Sequence, residues 1–122
     1  MRNILVVDNS DSIIETISNV LEKEGYSVTG ASDGVDALQK LQMGTRFNVI
    51  IADENMPNMD GVSLTREIKK IAAYEFTPII FLCTMSSSWR KKEEGKIAGA
   101  AGWLMKPFAP ENLVAVIRKV SP

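Results

Sequence analysis

Short apolar runs that stop abruptly on a polar residue punctuate this chain. The stretch Phe47 to Gly61 reads Phe-Asn-Val-Ile-Ile-Ala-Asp-Glu-Asn-Met-Pro-Asn-Met-Asp-Gly. Val49, Ile50 and Ile51 form a continuous β-branched run, the pattern of a central strand buried on both faces. The run ends at Asp53, and Pro57, Asn58, Asp60 and Gly61 beyond it favour turns over a continued strand. Ile4 to Val7 is a second run and ends at Asp8. Ile79 to Cys83, opened by Pro78, leads to Thr84; a proline is tolerated at the start of a strand. Ala100 to Met105 ends at Lys106-Pro107, and Tyr26 to Ala31 alternates weakly, as an edge strand does.

Between these runs the period becomes helical. Asp11 or Ser12 is expected to cap a first helix carrying Ile13, Ile14, Ile17, Val20 and Leu21 on one stripe, and Gly25 to close it in the left-handed conformation. Ser32 or Asp33 caps a second, with Val35, Leu38 and Leu41 facing inward and Gly44 at its end. Asp60 to Ala73 forms a third, with Val62, Leu64, Ile68 and Ile71 as its apolar positions. A fourth spans about Trp89 to Ile97, weakened at Gly95 by ~1 kcal/mol relative to alanine. Pro110 opens the last, whose inward face is Leu113, Val114, Ile117 and Val120. Strand and helix alternate five times, which predicts a three-layer, doubly wound α/β domain: a five-stranded parallel sheet with helices on both faces and right-handed crossovers. Residues 1–122 are expected to form this one domain, with no output domain attached.

Composition narrows the function. At 122 residues, 45% apolar and 24% charged, the chain suits one ordinary globular domain. A net charge of −1 argues against a nucleic-acid surface. No apolar segment approaches the ~18 residues of a membrane span, and the amino terminus is too short for a signal peptide, so a cytoplasmic location is expected. There is no histidine, which excludes histidine-based acid–base and nucleophilic chemistry and, with a single cysteine, the usual zinc ligand sets. Cys83, after an apolar run, is expected to be a buried reduced thiol. Met56, Met59 and Met105 read as gap-fillers around the loop edge of the sheet. The run Arg90 to Glu94 reads as a solvated helix face.

Four strands end in a polar residue on one edge of the sheet: Asp8, Asp53, Thr84 and Lys106. In open α/β sheets that edge is where ligands bind. Two carboxylates suit a hard divalent cation such as Mg2+, a lysine can hold a phosphoryl oxygen, and a carboxylate can itself be the nucleophile that forms an aspartyl phosphate.

With those residues in place, the chain resembles the receiver domain of two-component response regulators, the chemotaxis CheY-like family, over nearly its whole length. The residues carrying the resemblance are Ile4-Leu5-Val6-Val7-Asp8, Asp53 with Met56-Pro57-Asn58-Met59-Asp60-Gly61, Thr84, and Lys106-Pro107-Phe108. The resemblance implies a flavodoxin-like sheet order of 2-1-3-4-5 and phosphorylation of Asp53 by a partner histidine kinase. It implies Mg2+ held by Asp8, Asn9, Asp53 and the backbone carbonyl of Asn55. Thr84 and Lys106 would contact the phosphoryl group, Lys106-Pro107 would be cis, and Asn55 and Ser86 would tune phosphoryl lifetime. A downstream protein would dock on the face formed by the fourth helix, last strand and last helix, where Trp89 and Trp103 lie. By the same resemblance the domain is regulatory rather than an enzyme.

Two departures stand out. Asn9 occupies the second position of what is usually an acidic pair, so one negative charge is missing from the metal site. This raises the alternative of a constitutive interaction module with a weakened metal site. Trp103 stands where a Tyr or Phe is usual, with Met85 after Thr84, and this crowding is expected to keep the indole turned outward.

Overall fold

The apolar runs become strands that lie side by side in register. The computed structural model describes residues 2–56, 58–84 and 89–121, and the side chains of residues 89–92 and 95 lie outside that description. The strands are β1 (Asn3–Val7), β2 (Ser27–Ala31), β3 (Val49–Asp53), β4 (Ile79–Cys83) and β5 (Gly102–Met105). Helices α1 (Asp11–Lys23), α2 (Gly34–Leu41), α3 (Gly61–Lys69), α4 (Trp89–Ala98) and α5 (Pro110–Val120) connect or follow them. All strand pairs are parallel and the order is β2-β1-β3-β4-β5, as the resemblance implies.

Every residue of β3 and β4 is buried, as expected of strands covered on both faces. Their alternating side chains feed two cores. Ile50, Ala52, Ile79 and Phe81 join Ala37 and Leu41 of α2 and Val62, Leu64 and Ile68 of α3. Val49, Ile51, Ile80 and Leu82 join Ile17 and Leu21 of α1 and Leu113, Val114 and Ile117 of α5. The helices thus clamp the central strands from both sides, and the carboxyl end of β3 is held at a fixed height.

Several boundaries differ from the sequence reading. The cap of α1 is Ser10, whose hydroxyl accepts from the Ile13 N–H at 3.4 Å, rather than Asp11 or Ser12. Asp33 caps α2, accepting from the Asp36 N–H. Val35 is 49% exposed instead of inward-facing, because Gly34, Ala37, Leu38 and Leu41 form the i, i+3, i+4, i+7 stripe and Val35 falls beside it. Helix α3 ends at Lys69, not Ala73; a 3-10 turn at Ala72–Tyr74 follows. There Tyr74 is buried and its hydroxyl donates to the Thr45 carbonyl at 3.1 Å, an anchor incompatible with a continued helix. Met105 is 44% exposed at the end of the edge strand, while Met56 and Met59 pack against the core as expected. Cys83 is a buried thiol. Gly25 closes α1 at φ 91°, in the left-handed region. Among the described residues no helix is long and apolar enough to cross a membrane.

Candidate functional site

The winding of the sheet reverses between β1 and β3: β2 lies on one side of β1, and β3, β4 and β5 follow on the other. A crevice opens above the carboxyl ends of the strands at such a reversal. Asp8 follows β1 directly and Asp53 closes β3, so both carboxylates stand at that crevice, 1% and 8% exposed.

Lys106 ties them together. Its Nζ donates to Asp8 Oδ2 at 3.0 Å and stands 3.6 Å from Asp53 Oδ1. The lysine is delivered by β5, where its own N–H donates to the Cys83 carbonyl at 2.7 Å. The Lys106–Pro107 bond that follows is cis. The other Asp8 oxygen accepts from the Ser10 N–H at 2.9 Å, and Asp53 Oδ1 accepts from the Asn55 N–H at 3.4 Å. Thr84 sits half-buried just past β4.

Two acids share one ammonium. Burial, and next the Asp8 charge, push the Asp53 carboxyl above its ordinary pKa; Lys106 and the Asn55 N–H pull it back only in part. The pocket therefore carries surplus negative charge on hard oxygen donors, which matches a small divalent cation better than a soft metal. Mg2+ needs only one or two protein carboxylates when water and phosphate oxygens complete its shell, and Asp8 and Asp53 meet that requirement. Asn9 and Asn55 are exposed at the rim. Among the described residues no three His, Cys, Asp or Glu side chains gather as a metal cluster.

The structure thus brings Asp8, Asp53 and Lys106 together, with Asn9, Asn55 and Thr84 around them. Met85, Ser86 and the Trp89 side chain, singled out from sequence, lie outside the described residues. The expected outward Trp103 is corrected. Its ring meets Phe81 edge-on, with centroids 6.5 Å apart, and its Nε1 is buried. Phe81 lies directly opposite on β4 and supplies a T-shaped aromatic contact that favours the half-buried indole. Sequence reasoning also missed the direct Lys106–Asp8 pairing, which strand order alone could have suggested, since β1 and β5 are separated by two strands and only a long side chain spans the gap.

Fold and site together define a class: the chain matches the family described as the response regulator receiver domain over residues 4–118, and it belongs to that family, which is regulatory. It is similar to Protein PilG of Pseudomonas aeruginosa, 36% identical over 119 residues, covering 98% of this chain and 87% of that protein. It is 37% identical to Protein PetR of Rhodobacter capsulatus, covering 97% of this chain but only 49% of PetR. Among solved structures it resembles the chemotaxis protein CheY4 of Vibrio cholerae, with a TM-score of 0.92, 46% identity and 98% of each chain covered.

Proposed function

We propose that this domain is a phospho-acceptor switch in which Asp53 takes a phosphoryl group from a histidine kinase and the phosphorylated form signals through protein contact. The observation that carries this reading is the cluster of Asp53, Asp8 and Lys106 at the reversal of the sheet. A carboxylate oxygen of Asp53 attacks the phosphorus, the P–N bond to the donor imidazole breaks, and its electron pair leaves with the imidazole nitrogen. Lys106 already lies beside the attacking oxygen and can transfer its hydrogen bonds to the incoming phosphoryl oxygens. Thr84, at the end of the neighbouring strand, is the second group to meet them, and Asn55 and Ser86 would tune the lifetime of the product, as the family resemblance implies. Asp8, Asp53, the Asn55 carbonyl and the Asn9 amide would hold Mg2+, which when bound neutralises charge on the transferring group. The downstream partner would dock on the α4–β5–α5 face; Trp89 is the first residue of α4 and Trp103 lies in β5.

A second reading has its own support. Asn9 removes one negative charge from the metal site, which favours a constitutive interaction module. Site mapping separates the two. After reaction with a small phosphodonor and Mg2+, borohydride reduction should convert residue 53 alone to homoserine, and Asp53→Asn should leave no reduced site. An unmodified Asp53 in the wild-type protein would sink the switch and leave the module.

A further inference from the structure

Among the described residues, two polar groups on the side of the sheet covered by α2 and α3 have no hydrogen-bond partner. Glu54 is 1% exposed, and among the described residues neither carboxylate oxygen has a hydrogen-bond partner. The Trp103 Nε1 is buried and likewise unpartnered among the described residues. A buried polar group without a partner keeps the full penalty of leaving water, so such groups are rare and each needs an explanation. Here an orphaned acceptor and an orphaned donor occur together.

Their placement relates them. The Glu54 N–H donates to the Leu82 carbonyl at 3.0 Å, so Glu54 extends the ladder of β3 one residue beyond Asp53. Alternation places it on the face of Ile50 and Ala52, the face against which Trp103 also packs. Ala52, Phe81 and Trp103 lie across one rung, and Glu54 stands two residues beyond Ala52. With strands about 4.8 Å apart and a rise of about 3.3 Å per residue, the two Cα atoms lie roughly 12 Å apart, so the indole N–H meets the carboxylate only with both side chains extended along the sheet face toward each other. In the structure described, the edge-on contact with Phe81 holds the indole on its own rung.

Each group is also tied to the phosphoryl site through the backbone. Glu54 directly follows Asp53, and Trp103 precedes Lys106 by three residues on the segment that brings the lysine to both acids. We propose that Glu54 is a positioning residue for Trp103: in the phosphorylated state the indole N–H donates to the Glu54 carboxylate and fixes the ring that the docking face presents. A phosphoryl group on Asp53 gives Lys106 a new partner and shifts the residues at both ends of this pair. A ligand selects a state in this way when it interacts differently with the two. The proposal rests on Asp53 being the acceptor and adds the residue that receives the indole.

The test uses Trp89→Phe, which leaves Trp103 as the sole indole of the two tryptophans. The 15N-labelled indole N–H resonance is recorded with and without beryllofluoride and Mg2+, and the 19F signal of bound fluoride is read from the same sample. The expected result is a downfield move of the indole proton on fluoride binding. That move is retained in Glu54→Gln, which keeps an acceptor oxygen, and lost in Glu54→Leu, which does not. Glu54→Met serves the same purpose should the leucine variant fail to fold. Bound fluoride with an unmoved indole proton, or an equal move in Glu54→Leu, would overturn the proposal alone. Loss of the move in Glu54→Gln as well would overturn it too, by tracing the effect to the side chain's charge. No bound fluoride with Glu54 intact would overturn the acceptor reading and this proposal with it.

Discussion

Asp8 and Asp53 would repel each other across the crevice without Lys106, and the residual imbalance shows in Asp53. Its pKa is raised by burial first and by Asp8 second, so the folded protein holds this proton at a pH where the unfolded chain has released it. Ionised Asp53 therefore lowers stability above its folded pKa, and the effect vanishes below the ordinary value of 3.8. In EDTA, Asp53→Asn should melt at a higher temperature than wild type at pH 7, with the difference shrinking as the pH falls toward 4; an unchanged or lower Tm at pH 7 would contradict this. Asn9 acts on the same balance from the rim. Restoring the missing charge with Asn9→Asp should tighten Mg2+ by about ten-fold, since ligand charge tunes such sites. Side-by-side titrations with equal dissociation constants would refute it. The four polar strand ends were legible in the sequence because each apolar run stops abruptly on a polar residue, and parallel strands bring those ends to one edge of the sheet. Glu54 was not, because a glutamate in a Glu-Asn-Met-Pro turn reads as solvated; only its alternation with Ile50 and Ala52 pointed inward.

At the scale of elements, α3 is pressed onto the end of β3. A Cβ on Gly61 would lie 2.7 Å from the Asp53 carbonyl oxygen and 3.2 Å from the Glu54 Cα. Both contacts are backbone atoms that cannot swing aside, so the glycine sets how closely the helix approaches the acceptor strand. Gly61→Ala should lose ~1–3 kcal/mol in urea unfolding, as overpacking does, and should slow labelling of Asp53. Wild-type stability with normal labelling would show that the loop yields. The sequence marked Gly61 as a turn residue but not as a contact, because close approach is a tertiary property. Element existence and order were legible throughout, since apolar runs and helical stripes are local. The ends of α1 and α3 were not. Ser10, Asp11 and Ser12 are all competent caps, and the anchoring of Tyr74 to Thr45 is invisible along the chain.

Over the whole molecule, both cores converge on β3. Helices α1 and α5 hold Val49 and Ile51 from one side, and α2 and α3 hold Ile50 and Ala52 from the other. That double clamp places Asp53 at a fixed mouth and leaves the edge strand β5, with Trp103 and Lys106, as the part on which a charge change at the site can act. The central claim is that this mouth accepts one phosphoryl group with the help of a divalent cation. Intact-mass measurement after incubation with a small phosphodonor tests it most directly. The account predicts a gain of one phosphoryl group per chain with Mg2+, little or none in EDTA, and none in Asp53→Asn under either condition. An equal gain in Asp53→Asn, or no gain in the wild-type chain with saturating Mg2+, would contradict it.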